Sequence, residues 1–283
     1  MNATALRALG ILGGEQLVRL MTRIREGDDA LEDDLFQMER AASSLAMAAP
    51  PARPPADLKR RVLSRVAADG YYFLHERDSE WEPTQYAGAY VRQMFIDTRG
   101  RSETRLVRLS AGTPPGALAE LAGADFYLIS GDLHVDGASL EFGDYFHAGA
   151  SALTGKSGQG CVLFTVVTGG SRAPSGASRS RVTVRPSEGE WVEEGGPGVT
   201  TKALGSDPDR GIEMRLVRME PGASWKSHPH DGPEEVFVIR GSWRCLGTNL
   251  HPGDFHRAGV GTEQETTSSA SGCKLIVVRH LQA

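Results

Sequence analysis

The sequence contains an internal repeat whose two copies are offset by 110 residues. Residues 80–149 align with residues 190–259 without a gap, and a two-residue length difference then places Cys161 onto Cys273. The matched positions are mainly turn glycines and strand residues, and they include Trp81 and Trp191, Arg105 and Arg215, Gly112 and Gly222, Gly131 and Gly241, Asp144 and Asp254, and Gly149 and Gly259. Matches at so many structural positions predict two tandem copies of one domain.

Each copy has the sequence pattern of a β domain. From residue 70 onward, short runs of β-forming residues alternate with turns of Gly, Pro and Asp, which is typical of an all-β sandwich or barrel. We therefore expect a mainly β chain with one barrel over residues 69–172 and a second over 173–283. The paired cysteines are expected to be buried packing residues, and the paired tryptophans to be core or interface residues.

Residues 1–68 differ from the rest of the chain, because they are rich in Ala, Leu and Arg and contain neither Cys nor Trp. Apolar residues recur at helical spacing over 15–25, 31–47 and 56–66, with a Pro-rich linker at 49–55. This pattern predicts a small α-helical domain before the barrels. Its apolar stripes must be buried on the barrels, across a homodimer, or against a partner protein.

Composition excludes several classes of protein. The formal net charge of −5 argues against direct nucleic-acid binding, which needs a basic surface. Three cysteines are too few, and an odd number, for a disulfide framework, so we expect a reducing cytoplasm. No apolar run approaches the ~18 residues of a membrane span, and the N-terminal apolar stretch is followed by arginines rather than by a signal-peptide cleavage site.

A candidate metal site lies in the second copy, as His228-x-His230-x3-Glu234. Residues i and i+2 of a strand face the same side, so the two imidazoles point together, and Glu234 can return to them from just past a bend. Two imidazoles and a carboxylate suit one divalent transition metal, namely Zn, Fe, Mn or Ni. With Gly222 before it and Gly241 after it, this spacing resembles the first metal motif of the cupins. That resemblance implies two tandem double-stranded β-helix, or jelly-roll, barrels.

The second cupin motif usually supplies a fourth ligand, a histidine, and this chain departs from that pattern. Gln264 occupies the position of the expected histidine, and Ser268 that of the usual Asn. A Gln carbonyl oxygen can bind a metal, although it is neutral and weaker than imidazole. His256 is the alternative fourth ligand, because its counterpart Phe146 indicates an inward-facing position. The sequence leaves Gln264 and His256 as open alternatives.

The first copy retains none of these ligands. The residues that correspond to His228, His230, Glu234, His256 and Gln264 are Leu118, Glu120, Ala124, Phe146 and Thr154. We therefore expect at most one metal per chain, in the second barrel.

Three phrases of the β region resemble the ChrR-type cupins. They are Glu80–Thr84, Arg215–Gly222 and Pro252–Gly259, and the resemblance covers roughly residues 75–283. ChrR-type proteins are anti-sigma factors, in which a helical N-terminal domain binds an extracytoplasmic-function (ECF) sigma factor. Residues 8–12 and 55–63 are similar to the first and last segments of such domains. The zinc motif His-x3-Cys-x2-Cys of that family is absent because the first cysteine is Cys161, so the resemblance implies a zinc-free anti-sigma domain.

These observations leave three functional hypotheses. The first is a cytoplasmic regulator that sequesters an ECF sigma factor through residues 1–68 and senses a metal or small molecule in the second barrel. The second is a cupin dioxygenase acting on dicarbonyl or hydroxyketone substrates through open metal positions. The third is a module that only stores or binds a metal or ligand. We favour the regulator, because a simple cupin enzyme does not need a helical arm.

Overall fold

A computed structural model describes residues 23, 28, 30, 31, 33–38, 41, 70–97, 102–149, 153–168, 182–208 and 210–281. The chain divides into two compact units, Met1–Ala56 and Asp57–Ala283. In the first unit the described residues from 30 to 41 are helical, and the side chain of Asp28 accepts a hydrogen bond from the Leu31 amide at 3.2 Å. The predicted helical domain over 1–68 otherwise lies outside the described residues and stays a prediction. No described helix is long and apolar enough to cross a membrane.

Strands are the main elements among the described residues of the second unit. In the first copy they are β1 (Tyr71–Leu74), β2 (Glu82–Pro83), β3 (Ala89–Asp97), β4 (Ser102–Leu109), β5 (Asp125–Val135), β6 (Ala138–Glu141), β7 (Tyr145–His147), β8 (Gly155–Lys156) and β9 (Cys161–Thr168). In the second copy they are β10 (Val182–Val184), β11 (Val192–Glu193), β12 (Val199–Asp207), β13 (Ile212–Met219), β14 (Ser224–Trp225), β15 (His228–Pro229), β16 (Glu234–Gly241), β17 (Trp243–Cys245), β18 (Thr248–Leu250), β19 (Phe255–Ala258), β20 (Glu263–Gln264), β21 (Thr267–Ser268) and β22 (Cys273–His280). Short 3₁₀ helices span Glu76–Asp78 and Pro115–Leu121.

The strands form two jelly-roll barrels, which confirms the mainly β, jelly-roll part of the predicted fold class. One large sheet has the order β1-β19-β16-β22-β13-β12-β11, and the other has the order β10-β7-β5-β9-β4-β3-β2. In the second copy, a sheet of order β14-β21-β17-β18 and the pair β15-β20 provide further strands. In the first copy, β6 and β8 pair with β5.

The two barrels exchange their first strands. Strand β1 pairs with β19 of the second copy, and β10 pairs with β7 of the first copy, both antiparallel. Equivalent polar contacts support the two exchanged strands. His75 Nδ1 lies 3.1 Å from Asp254 Oδ2, and at the positions 110 residues away Arg185 pairs with Asp144. The repeat boundary at 172/173 therefore divides the sequence copies, whereas each barrel contains one strand from the other copy.

Three apolar cores result from this arrangement, one inside each barrel and one between the barrels. The layer between the barrels draws on both copies, and the rings of Phe164 and Phe237 meet in it at 5.2 Å. Trp81 and Trp191 pack against this layer, as predicted. The buried positions of Cys161 and Cys273 also confirm the prediction.

Two of the matched glycines are required by backbone geometry. Gly131 and Gly241 have φ angles of 82° and 81°, which an L side chain rarely adopts. A Cβ atom at either position would also collide with the carbonyl oxygen of Gly160 or Gly272. The repeat thus preserves glycine where two strands approach each other too closely for a side chain.

Charged side chains are buried between the barrels, in two equivalent places. In one, Glu235 accepts a hydrogen bond from Thr104 and lies 3.5 Å from Arg257 Nε and 3.2 Å from His280 Nε2. Burial raises the pKa of Glu235, but the nearby His280 and Arg257 more than offset it and keep this carboxyl ionised. Buried charges are retained only when they are paired in this way.

The equivalent group in the first copy is centred on Asp125. Its carboxylate accepts hydrogen bonds from the Tyr145 hydroxyl at 2.6 Å and from His147 Nδ1 at 3.0 Å, and it pairs with Arg210 Nη2 at 2.6 Å. Both clusters join residues distant in sequence, so each fixes the register of strands that local sequence would not align.

Phe237→Ala is expected to lower the free energy of unfolding by about 3–5 kcal/mol, because it opens a cavity in the layer that both barrels share. All four tryptophans lie in the barrels, so denaturant unfolding followed by tryptophan fluorescence measures the effect. Phe142→Ala is the control, since Phe142 is 55% exposed and its loss should change stability by less than about 0.5 kcal/mol. Two separate transitions, of which only one shifts, would contradict a shared core.

Candidate metal centre

The structure brings together the three residues of the predicted metal motif. His228 lies on β15, Glu234 begins β16, and His230 lies in the turn between these strands. One donor atom from each residue falls within 4.8 Å of the others. His230 Nε2 is 3.6 Å from Glu234 Oε1, and the two imidazole rings are 5.3 Å apart at 86°. The strand–turn–strand path therefore provides the convergence that the spacing predicts.

Hydrogen bonds make Nδ1 the donor nitrogen in both imidazoles. His228 Nδ1 lies 3.1 Å from the Lys226 carbonyl oxygen, which can only accept, so Nδ1 carries the proton. His230 Nδ1 lies 3.0 Å from the Thr262 hydroxyl, and that hydroxyl donates its own proton to the Gly259 carbonyl at 2.7 Å. His230 Nδ1 is therefore also a donor. In both rings the lone pair resides on Nε2, the arrangement that metal-binding histidines adopt.

Glu234 is poised as an anionic ligand. Burial raises the pKa of its carboxyl group, but His230 and the charge of Arg215 more than offset this and bring the pKa below its usual value. Glu234 Oε2 lies 4.0 Å from Arg215 Nη2 and 3.9 Å from Arg279 Nε, too far for hydrogen bonds. The carboxylate is thus ionised without being fully engaged by either arginine.

The residues present fit a divalent transition metal. His230 Nε2 is buried and has no hydrogen-bond partner among the described residues, which is costly unless another group fills that position. A metal ion among the two Nε2 atoms and the carboxylate would satisfy it. His228, His230 and Glu234 would hold the ion, and such an ion would supply Lewis acidity and open positions for further ligands.

Both alternatives for the fourth ligand lie inside the second barrel. Gln264 on β20 pairs in register with His228, and its side-chain amide donates to Cys245 Sγ at 3.1 Å. His256 on β19 is 1% exposed, and its Nδ1 donates to the Tyr72 carbonyl at 3.1 Å. Burial lowers the pKa of His256 to about 4, so the ring is neutral. His256 lies outside the three-residue group, and its Nε2 is 3.8 Å from Cys245 Sγ.

The metal cluster lines a cleft of about 740 Å³. Its walls also include residues that were not predicted as site residues, namely Glu194, Arg215, Trp225, Lys226, Arg279 and His280. Arg215 matches Arg105 in the repeat. A residue present in both copies suggests a structural role, so Arg215 was not predicted as a site residue. Trp225, Lys226 and Arg279 belong to the second copy alone, because their counterparts are Pro115, Gly116 and Val167. Copy-specific polar residues beside a copy-specific metal motif are the signal that could have identified them.

Three of the five corresponding positions in the first barrel hold apolar side chains. Leu118, Ala124 and Phe146 are each at most 2% exposed and pack together in the interior of that barrel. These three positions therefore belong to the apolar core of the first barrel and offer no metal ligand.

His228→Ala or His230→Ala should reduce bound metal from one equivalent per chain to nearly none, because each removes an oriented Nε2 donor. Elemental analysis of the purified variants measures this. His134→Ala is the matched control, since His134 is an exposed histidine of β5 in the first barrel. Two equivalents that both survive His228→Ala would contradict a single site.

Gln264→His should strengthen zinc binding by about tenfold or more, a scale that even supporting residues of metal sites reach. This substitution places an imidazole on β20, the strand that pairs with His228. His256→Phe, which introduces the residue of the first copy, should leave zinc affinity nearly unchanged, because His256 lies outside the three-residue group and its Nε2 faces Cys245 Sγ at 3.8 Å. Competition titration with a chromophoric chelator compares the variants. If His256→Phe releases zinc and Gln264→His gains nothing, His256 is the fourth ligand.

Residues 179–283 match the ChrR cupin-like domain family, and this match covers 105 of the 283 residues. No curated protein matches the chain.

Several solved structures are similar in fold. A putative glyoxylate-induced protein from Pseudomonas aeruginosa is 14% identical, with a TM-score of 0.63 over 83% of this chain and 97% of that one. A putative dioxygenase from Nostoc punctiforme is 14% identical, with a TM-score of 0.58 over 78% and 91% of the two chains. An oxalate decarboxylase from Lactobacillus farciminis is 12% identical, with a TM-score of 0.55 over 75% and 86%. At these identities the likeness concerns the fold, and the β region of the chain has the cupin fold.

Proposed function

We propose that the chain is an anti-sigma factor whose second barrel senses a divalent metal together with a small ligand. Residues 1–68 sequester an ECF sigma factor in this proposal. The observation that carries it is the match of residues 179–283 to the ChrR cupin-like domain, in which the His228, His230 and Glu234 cluster lies.

The position of β1 supports a sensing role for the second barrel. This strand is the first described element after the N-terminal segment, and it lies in the sheet of the metal-type barrel. The Phe73 ring lies 4.5 Å from the ring of His256, and the Tyr71 hydroxyl donates to the carbonyl of Glu263, the neighbour of Gln264. A change in the barrel wall beside the metal cluster would therefore act on the strand that continues from the N-terminal segment.

Charge in the N-terminal segment is compatible with the proposed partner. Five acidic residues cluster there, namely Asp28, Asp29, Glu32, Asp33 and Asp34. Such a cluster can steer association with a basic, DNA-binding protein. The apolar stripes of the same segment supply the surface that a partner helix would cover.

A metal-dependent dioxygenase is the second candidate. The observation that favours it is the three-ligand set at the wall of a cleft of about 740 Å³, since catalytic metal sites keep a position open for substrate. The regulator needs the same opening for its ligand, so the cleft alone does not discriminate between the two. The two candidates are distinguished by whether residues 1–68 bind a sigma factor.

If an ECF sigma factor is encoded beside its gene, that factor should co-purify with the chain when the two are co-expressed. Leu58→Asp together with Val62→Asp should abolish the complex, because both residues lie on the apolar stripe of the helix predicted over residues 56–66. Arg61→Ala, on the opposite face of that predicted helix, is the control. Absence of a complex, combined with metal-dependent oxygen uptake in the presence of a diketone, would support the dioxygenase instead.

A further inference from the structure

The charge of the cleft depends on metal occupancy. Three cationic side chains line the cleft, Arg215, Lys226 and Arg279, and three anionic ones, Glu194, Asp231 and Glu234. These six charges cancel, so a bound divalent ion would give the group a net charge of about +2. A cleft of that charge favours an anionic occupant.

Arg215 is held in place with donors to spare. It is 8% exposed, and its Nη1 donates to both carboxylate oxygens of Glu194, at 2.9 and 3.0 Å. The guanidinium also packs over the Trp225 ring at 5.3 Å. Its Nε is buried without a hydrogen-bond partner among the described residues. A fixed guanidinium with unused donors is a preorganised anion-binding group.

Arg279 approaches the same place from another strand. Its Nε lies 3.9 Å from Glu234 Oε2, the oxygen that Arg215 Nη2 approaches at 4.0 Å. Its Nη1 is 3.6 Å from Glu213, and its side chain is 41% exposed. If Glu234 turned its charge to a metal ion, both guanidiniums would lose part of a counter-charge that they share at the cleft.

We infer that the cleft binds a small chelator bearing a carboxylate, and this inference rests on the metal site of the proposed function. The carboxylate pairs with Arg215 and Arg279, and the remaining oxygen donors of the chelator occupy open positions of the metal. A planar guanidinium recognises a carboxylate, as it does a phosphate, with two parallel hydrogen bonds, and a carboxylate can also be part of a small metal chelator.

Comparison of the two copies supports a ligand role for this group. Arg105 in the first barrel lies 3.3 Å from Glu103 of its own strand, whereas Arg215 bridges to Glu194 across the cleft wall. Arg279 is replaced by Val167 in the copy that lacks metal ligands. Arg279 therefore occurs in the copy that has the metal-type ligands, and the first copy forms the same barrel fold with Val167 in its place.

Malonate and acetylacetone form a matched pair of probes. Both can chelate a metal through two oxygens in a six-membered ring, but only malonate carries carboxylates. Titration calorimetry with zinc-loaded, full-length protein would compare them for wild type and for Arg279→Gln, a change at a partly exposed residue. Arg240→Gln is the control, because Arg240 is an exposed arginine of β16 that does not line the cleft.

Arg279→Gln should weaken malonate binding about tenfold or more and leave acetylacetone binding and zinc content nearly unchanged. Arg215→Lys, which keeps the charge but not the planar fork, should also weaken malonate selectively. Equal malonate affinity in wild type and Arg279→Gln, or no malonate binding by zinc-loaded protein, would overturn this inference alone. A wild-type chain that holds no zinc would overturn the proposed metal site as well.

Discussion

Burial of one apolar layer between the two large sheets holds the barrels together as a single structure. Phe164 and Phe237 meet in this layer, and each fully buried aromatic side chain contributes roughly 1.5–3 kcal/mol. The faces that the two barrels turn toward each other are therefore apolar, and separating the barrels would expose this apolar surface to water. The exchanged strands β1 and β10 extend the same sheets, and the contacts of His75 with Asp254 and of Arg185 with Asp144 support them.

This back-to-back packing also determines where a metal site can lie. Strand β16 alternates its side chains between the two faces of the sheet, so Glu235 faces the neighbouring barrel while Glu234 faces its own cleft. Adjacent carboxylates thus serve the interface and the metal cluster respectively. His280 lies near both, since it pairs with Glu235 and lines the cleft. The metal-type cleft and the interface between the barrels therefore lie on opposite faces of the same strand, β16.

The repeat and the metal motif were predictable because both depend on short-range patterns. Turn glycines such as Gly131 and Gly241 must recur where strands come too close for a side chain, and two histidines at i and i+2 must face the same side. The strand exchange was not predictable, because the pattern of Tyr71–Leu74 specifies a strand but not which of two similar sheets it joins. Arg215 was overlooked for a related reason, since its partner Glu194 lies across the cleft and its repeat counterpart Arg105 suggested a structural role. The choice between Gln264 and His256 depends on side-chain direction inside a barrel, which sequence spacing does not encode.

The covalent joining of the two copies has a genetic consequence. In a symmetric dimer of one-barrel chains, a single gene encodes both barrels, so every substitution is inherited twice and a lost ligand disappears from both sites. Tandem copies in one reading frame mutate independently. Leu118 and Ala124 can then stand in one barrel at the positions that His228 and Glu234 occupy in the other. The first barrel still packs against the second and pairs with β10, so the chain is an asymmetric pair of barrels in one polypeptide.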